Sequence, residues 1–358
     1  MITELSRFAA RLRESIHSGF PDASFDALAL ELFALQFKHN AAHQKICNAC
    51  GLTPKTVGHW TQIPAVPTAA FKELELTSLA THERTVVFHS TGTTTQTPSR
   101  HFHNAESLAV YEASLWRWFE LNFFVNSEFR IPNSELLILT PPPEQAPHSS
   151  LVHMFETIQQ KTGVLESMFV GKSEANGVWT LDFEAALAAL RLSLVTRRPP
   201  LLLGTAFSFV HLLDYLAENN LKFQLPAGSR VMETGGYKNR SRTMPKSELH
   251  ALITARLGVP GENIICEYGM SELSSQAYAT AGDRFQFPPW ARAQIISPET
   301  GRDTSDGGTG LIRVFDLANV FSVAAIQTED LAIHHGDGFE LIGRAQLAEP
   351  RGCSLMTV

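Results

Sequence analysis

Short apolar runs alternate with amphipathic segments through the middle of this chain, and this alternation constrains the fold more than any other feature. The apolar runs predict strands at residues 85–88, 136–139, 201–203, 230–232 and 263–266. The amphipathic segments predict helices, most clearly at residues 105–120, 183–195 and 209–219. Strands that alternate with helices form a mostly parallel sheet that helices cover on both faces. Ligands of such sheets bind at the loops that leave the C-terminal ends of the strands.

The two ends of the chain have a different pattern. The first fifty residues show the apolar spacing of helices, and a connector punctuated by prolines follows them. Beyond about residue 285, turn signals separate apolar segments that predict strands at 293–296, 310–315, 320–327 and 339–342. We therefore predict an α/β protein in three parts: a helical region with its connector at 1–84, an α/β core at 85–285, and a β-rich lobe with a C-terminal cysteine tail at 286–358.

Composition and charge exclude several classes of protein. The chain has 358 residues, of which 44% are hydrophobic and 18% are charged, as in an ordinary globular protein with a large core. Its net charge of -7 argues against a nucleic-acid partner and against a basic membrane patch. The sequence shows neither a membrane-spanning apolar run of about 18 residues nor the apolar centre of a signal peptide. We expect a cytoplasmic protein that does not insert into a membrane.

The four cysteines have different settings. Cys47 and Cys50 form a single C-x-x-C pair, whereas a zinc site would need a second pair. We interpret them as reduced structural thiols, with a redox pair as the alternative. Cys266 lies in an apolar run and is typical of a small core residue. Cys353 lies close to the C-terminus between Gly352 and Ser354, in a segment that is not typical of deep core.

A run of hydroxyl residues around one glycine follows the strand predicted at 85–88. It consists of Ser90, Thr91, Gly92, Thr93, Thr94 and Thr95. Such a loop can direct backbone N–H groups and hydroxyls toward one anion, the arrangement that binds a phosphate. Arg100 follows shortly downstream. The run is not a P-loop, because Gly-Lys-Ser/Thr is absent, and a plain surface turn is the alternative interpretation.

Three more polar clusters, at 233–238, 267–272 and 327–344, come after predicted strand ends. Their candidate binding residues are Gly235, Gly236 and Lys238 in the first cluster, Tyr268, Gly269, Ser271 and Glu272 in the second, and Asp330 and Arg344 in the third. Adjacent glycines allow close approach of the backbone to a ligand. Taken singly, each cluster is also typical of an ordinary turn or a solvated loop.

In this order along the chain, the clusters resemble motifs of the adenylate-forming superfamily of acyl-CoA synthetases, luciferases and peptide-synthetase adenylation domains. Residues 90–95 resemble its phosphate loop, 268–272 its Tyr-Gly-x-Thr/Ser-Glu motif, 328–330 its Thr-Gly-Asp motif, and 343–344 its closing Gly-Arg. Within the superfamily the chain looks most like the LuxE-type acyl-protein synthetases. Three motifs carry that likeness: Pro-Thr-x-x-Phe-Lys at 67–72, Glu-Thr-Gly-Gly-Tyr-Lys at 233–238 and Arg-Gly-Cys-Ser-Leu at 351–355.

The resemblance implies a reaction in which a carboxylate and ATP form an acyl-adenylate and pyrophosphate. It implies that Glu272 binds Mg²⁺ and that residues 90–95 bind the phosphates together with Arg100. Tyr268 would contact the adenine, Asp330 and Arg344 the ribose, and Lys238 would supply an extra positive charge. Further nucleotide contacts would come from Gly235, Gly236, Gly269 and Ser271. It also implies the fold of the family's large N-terminal domain without the mobile C-terminal domain. The parts 85–285 and 286–358 would then be a nucleotide- and acyl-binding core and the β-rich lobe.

The resemblance further implies that the Cys353 thiol takes the acyl group from AMP as a thioester, with Arg351 favouring the thiolate. The acid would be a fatty acid or another hydrophobic carboxylic acid, and the partner an acyl reductase or an acyl carrier protein. Two alternatives stay open. One is a CoA ligase that resembles phenylacetate-CoA ligases. The other is a non-catalytic nucleotide- or acyl-binding protein, because Thr95 stands where the family has Gly and Ser99-Arg100 where it has Lys.

Overall fold

The computed structural model describes residues 3–90, 97–124, 134–164, 166–175, 177–235, 244–280 and 284–345. Its helices are α1 (Glu4–Ser18), α2 (Phe25–His39), α3 (Ala41–Ala49), α4 (Ala70–Glu73), α5 (Ala105–Phe123), α6 (Ser150–Thr162), α7 (Phe183–Thr196), α8 (Ala206–Glu218) and α9 (Lys246–Leu257). Its strands are β1 (Val66–Pro67), β2 (Val86–His89), β3 (Arg100–His103), β4 (Glu135–Ile138), β5 (Ser167–Phe169), β6 (Gly171–Ser173), β7 (Trp179–Leu181), β8 (Pro200–Thr205), β9 (Arg230–Thr234), β10 (Ile264–Tyr268), β11 (Ala277–Thr280), β12 (Ala291–Ile296), β13 (Thr309–Asp316), β14 (Ala325–His335) and β15 (Gly338–Arg344).

The larger sheet has the strand order β11-β10-β9-β8-β4-β5. All its neighbouring strands are parallel except β11, which pairs with β10 in the antiparallel direction. Leu202 and Val231 pack in a core with α7, α8 and α9, whereas Leu203 and Met232 pack in a second core with α5 and α6. The strands are apolar on both faces because helices bury both faces. The prediction of a parallel sheet between helical layers is therefore confirmed.

The strand predicted at 85–88 forms as β2, but it does not join that sheet. It pairs with β3 in a separate antiparallel hairpin, in which Val86 lies opposite His103 and His89 lies opposite Arg100. An apolar run shows that a segment extends and is buried, but it carries no information about which strand will pair with it. The hairpin brings Ser90, the first residue of the hydroxyl run, close to Ser99.

The second sheet is built by the C-terminal part of the chain and one strand from the connector. Strands β12, β13, β14 and β15 form an antiparallel meander, and β1 pairs with β14 in parallel, with Val66 opposite Ile326. The strand predicted at 320–327 begins only at Ala325, because the preceding residues pack against α2, where Gln36 Oε1 accepts a hydrogen bond from the Ala324 N–H at 3.0 Å. The boundaries proposed for the three parts of the chain stay a prediction.

The N-terminal helices share a core with the segment that leads into β14. Phe25 and Leu32 of α2 are buried in one cluster with Trp290 and Phe321. Helix α1 contacts α5, so the N-terminal region is joined to both sheets. Among the described ranges of the chain, none of the helices has both the length and the apolar character needed to cross a membrane.

Candidate active site

Asp330 and Arg344 lie opposite each other on the β14–β15 hairpin. The register pairs the two residues directly, and Arg344 Nε donates to Asp330 Oδ1 at 3.4 Å. The turn between the strands contains Gly336, whose φ of +57° is in the left-handed region that favours glycine. A short turn and an antiparallel ladder thus bring a cation and a carboxylate to one place on the sheet.

Tyr268, the last residue of β10, connects the two sheets at this place. Its hydroxyl donates to Asp330 Oδ2 at 2.9 Å. Its ring packs among Phe285, Phe287 and Phe339, with ring centroids 5.4 to 6.2 Å away. Burial, followed by the charge of Asp330, raises the pKa of Tyr268 well above its ordinary value. The phenol therefore stays a neutral donor that holds the Asp330 carboxylate in one orientation.

Glu272 is a buried carboxylate beside this cluster, with 5% of its surface exposed. Burial raises its pKa, and this effect is opposed by the Ser99 hydroxyl and by the charges of Arg344 and Lys72. Asn319 Nδ2 donates to the backbone carbonyl of Glu272 at 2.9 Å and fixes the loop behind it. The carboxylate is thus held in a buried place that several positive charges influence.

The β2–β3 hairpin places Ser90, the first residue of the hydroxyl run, and Ser99 close to Glu272. The Ser99 N–H donates to Ser90 Oγ at 3.0 Å and closes the loop, and Arg100 is the next residue. His101 Nδ1 lies 2.8 Å from the Ser271 carbonyl oxygen, which can only accept, so this nitrogen carries the proton. Burial lowers the pKa of His101 to about 4, and the ring is neutral at pH 7. This bond ties the hairpin to the loop of Ser271 and Glu272.

The ends of β9 and β10 form a second polar pair on the opposite face of the sheet. Thr234 Oγ1 donates to Glu267 Oε2, and the two residues are partners in the parallel register. Burial raises the pKa of Glu267 to about 7. Gly235 follows with a φ of +70°, and a methyl group on Gly269 would overlap the Glu267 carboxylate. Local geometry therefore favours glycine at 235 through its backbone conformation, and a side chain at 269 would have to displace the Glu267 carboxylate.

Several of the candidate residues lie outside the described residues. They are Thr91, Gly92, Thr93, Thr94, Thr95, Gly236, Lys238 and Cys353. Most of the described candidates lie in one neighbourhood around Tyr268, Asp330, Arg344 and Glu272, to which the β2–β3 hairpin joins Ser90 and Ser271. Gly235 and Gly269 lie with the Thr234–Glu267 pair on the opposite face, and Arg100 lies 3.8 Å from Glu75. Their roles toward a ligand stay predictions.

Three residues of this neighbourhood were not among the candidates. Lys72 is part of the motif at 67–72, and that motif was the signal that could have identified it. Ser99 and His101 flank Arg100 at the start of β3, but a single serine and a single histidine there give no sequence signal. Ser99 Oγ is buried and lies close enough to Glu272 for its hydroxyl to lower the pKa of that carboxyl. Together with the Glu272 carboxylate it offers oxygen donors, the type that Mg²⁺ prefers.

The sequence of this chain matches the profile of the acyl-protein synthetase family LuxE over residues 21–357. The chain belongs to this family. It is also 26% identical over 187 residues to the long-chain-fatty-acid–luciferin-component ligase of Aliivibrio fischeri, and the match covers 49% of each chain. The aligned part of this LuxE-family chain thus spans about half the length of that curated relative.

Solved structures of ligases share the fold. A 2-hydroxyisobutyryl-CoA ligase, solved with 2-HIB-AMP and CoA, superposes with a TM-score of 0.67 at 13% identity, covering 91% of this chain and 76% of its own. ATP-bound MatB from Rhodopseudomonas palustris superposes with a TM-score of 0.50 at 16% identity, covering 84% of this chain and 56% of its own. At such identities the likeness shows the fold, which is that of the N-terminal domain of adenylate-forming ligases. The predicted fold class is therefore confirmed.

Proposed function

We propose that this LuxE-family chain activates a hydrophobic carboxylic acid with ATP and transfers the acyl group to a thiol. The observation that carries the proposal is the Asp330 carboxylate, which Tyr268 and Arg344 orient beside the buried Glu272. This arrangement lies next to Ser90, the first residue of the hydroxyl run, which accepts a hydrogen bond from the Ser99 N–H. A site that binds a nucleoside triphosphate with Mg²⁺ needs an oriented acceptor for the ribose, a carboxylate for the metal and a loop for the phosphates, and these residues could supply each of them.

Asp330 is suited to hold the ribose of ATP. A carboxylate has about four lone-pair sites, and in this chain Tyr268 and Arg344 each use one of them. The remaining sites can accept hydrogen bonds from two neighbouring hydroxyl groups. Because Tyr268 and Arg344 hold the carboxylate from two sides, a ribose meets an acceptor that is already oriented, and binding costs less conformational entropy.

Glu272 and Ser99 are suited to hold Mg²⁺, which would neutralise charge on the triphosphate and on the leaving pyrophosphate. Burial raises the pKa of Glu272, and a cation bound in that place would favour its charged form. Lys72 and Arg344 supply further positive charge there, as their effect on the same pKa indicates. The substrate carboxylate and the α-phosphate are both anionic, so these charges lower the cost of their approach.

The proposed reaction has two bond exchanges. In the first, a carboxylate oxygen bonds to the α-phosphorus of ATP while the bond to the β-phosphate oxygen breaks, which releases pyrophosphate. In the second, the sulfur of a thiolate bonds to the acyl carbon while the carbon–oxygen bond to AMP breaks. The thiol proton leaves to solvent, and the product is a thioester.

The finer assignments are also proposals. We infer a fatty acid as the substrate from the name of the Aliivibrio fischeri relative, a long-chain-fatty-acid ligase. Cys353 would be the accepting thiol, and an acyl reductase or an acyl carrier protein would take the group from it. Arg100 and residues 91–95 would bind the β- and γ-phosphates, with Lys238 as an additional cation near the site of charge development.

Exchange of labelled pyrophosphate into ATP tests the first bond exchange. We expect exchange that depends on Mg²⁺ and on an added acid, with the highest rate among fatty acids in a series of carboxylic acids. Asp330→Asn should raise the KM for ATP by about tenfold, because it removes one charged acceptor. Glu340→Gln, on the exposed end of the same hairpin, should not change it. A lack of exchange with every acid would favour the non-catalytic alternative.

Intact-mass measurement after incubation with ATP and acid distinguishes an acyl-protein synthetase from a CoA ligase. An acyl adduct on the protein supports transfer to a protein thiol. Exchange without an adduct, together with acyl-CoA formation when CoA is present, would instead identify a CoA ligase.

A further inference from the structure

A buried cluster of three different metal-binding side chains lies beside the candidate active site. Glu233 comes from β9, Cys266 from the adjacent β10 and His250 from α9, which covers that face of the sheet. One carboxylate oxygen, one imidazole nitrogen and the sulfur all lie within 4.8 Å of one another, and all three residues are buried. The parallel register places Glu233 and Cys266 side by side, so their side chains share one face.

The distances in the cluster match the edges of a tetrahedral metal site. His250 Nε2 lies 3.7 Å from Cys266 Sγ and 3.5 Å from Glu233 Oε1. Zinc binds sulfur at about 2.3 Å and nitrogen or oxygen at about 2.0–2.2 Å, so tetrahedral ligands are separated by about 3.4–3.6 Å. The observed separations differ from these values by only a few tenths of an ångström. Small rotations of the three side chains would complete the geometry.

The Glu233 carboxylate gives an independent indication that a ligand belongs here. Its side chain is 3% exposed, and the groups closest to Oε1 are His250 Nε2 at 3.5 Å and the Lys246 ammonium at 3.6 Å, both longer than a strong hydrogen bond. A buried anionic oxygen without a strong hydrogen bond is costly. The ammonium of Lys246 lies 3.6 Å from it and is 48% exposed at the side chain, so it can withdraw to solvent.

We propose that Glu233, His250 and Cys266 bind a zinc-class divalent transition-metal ion, with water as the fourth ligand. The mixed oxygen, nitrogen and sulfur donors suit Zn²⁺ and its spectroscopic substitute Co²⁺, whereas Mg²⁺ takes oxygen ligands. Binding would form three bonds to the metal, release the thiol proton of Cys266 to solvent and displace Lys246. The site is distinct from the proposed Mg²⁺ position at Glu272.

The proposed role of the metal is to clamp the ends of two strands. Glu233 is two residues before Gly235, and Cys266 is two residues before Tyr268, so both ligands precede candidate nucleotide-binding residues. Lys246 lies over the ring of Phe285 at 4.7 Å, and that ring neighbours Tyr268 with centroids 6.0 Å apart. A metal would cross-link β9, β10 and α9 in the manner of a structural zinc ion.

Titration of the metal-free full-length chain with Co²⁺ under reducing conditions tests the proposal without reference to activity. We expect one equivalent to bind with a near-ultraviolet band from charge transfer between thiolate and cobalt. Cys266→Ser should abolish this band, and Glu233→Gln should weaken binding. Cys47→Ser is the matched control, because Cys47 is also a buried free cysteine but lies in α3. The control should retain the band of the wild-type chain.

Lys246→Met separates a metal site from a purely structural ion pair. Removal of the competing ammonium should lower the Kd for Co²⁺ by about tenfold, because two like charges no longer meet at one carboxylate. A structural ion pair predicts that the same change only destabilises the fold. A wild-type band that persists in Cys266→Ser, or an unchanged Kd in Lys246→Met, would overturn the proposal.

Discussion

At the scale of single residues, Glu272 makes the sharpest prediction about the proposed chemistry. Glu272→Gln keeps the shape of the side chain but removes the anionic ligand, so pyrophosphate exchange should fall by about 100-fold or more. The fold should persist, because burial already raises the pKa of this carboxyl and the charged form gains little from its surroundings. Glu340→Gln, whose side chain is 62% exposed, is the control and should exchange at the wild-type rate. Equal rates in both variants would remove Glu272 from the mechanism.

Glu267 predicts a pH dependence of stability. Burial raises its pKa from 4.5 to about 7 in the folded chain. Its contribution to stability is therefore complete below pH 4.5 and is lost as the pH rises through 7. The reason is that between these values the unfolded chain has released the proton, whereas the folded chain still holds it. Between pH 5 and pH 7.5 the free energy of unfolding should fall by about 2 kcal/mol through this group.

Glu267→Gln should remove that fall, while the exposed-residue control Glu340→Gln should keep it. Urea unfolding at both pH values measures the difference. The same pH dependence in Glu267→Gln and in the wild-type chain would show that Glu267 titrates normally in the folded state.

At the scale of elements, the β2–β3 hairpin should act on the site through His101. His101 and His43 form a matched pair, since both are buried and burial lowers the pKa of each to about 4. Only His101 connects to the loop of Glu272, through the Ser271 carbonyl. Substitution of either by Ala should cost about 1–3 kcal/mol of unfolding free energy.

His101→Ala alone should also lower kcat/KM for ATP by about tenfold, because the loop loses the donor that positions it. Pyrophosphate exchange at a temperature where both variants are folded measures this difference. If His43→Ala loses the same activity, the hairpin has no special connection to the site.

At the scale of the whole molecule, the two bond exchanges should separate at Cys353. The first exchange does not need a thiol, so Cys353→Ser should release pyrophosphate for about one turnover and then stop. After incubation with ATP and labelled fatty acid and then denaturation, the Cys353→Ser protein should carry no hydroxylamine-labile acyl group. Cys50→Ser is the control, because Cys50 is an exposed free cysteine on the described part of the chain. Loss of the label from the control instead would identify Cys50 as the acceptor.

Four strands of the larger sheet, β4, β8, β9 and β10, were predictable from the sequence because they are buried on both faces. Val231 and Met232 pack into different cores, so the run must be buried between two layers of helices. The turn signal at residues 336–338 indicates that the chain folds back and brings Asp330 and Arg344 to one side. Their direct pairing was not predictable, because it depends on a register shift between Leu331 and Ala332 that no local pattern indicates.

By itself, the sequence determined the N-terminal helical region, three helices of the core, its central strands and the motif residues, because these depend on local spacing and turn chemistry. Only the tertiary structure decided which distant segments meet. It paired β1 with β14, brought the Tyr268 hydroxyl to Asp330, and gathered Glu233, His250 and Cys266 from two strands and a helix. Local sequence patterns do not indicate which residues far apart in the chain will be in contact. They arise when the packing of helices on sheets closes the distance between residues that the chain keeps far apart.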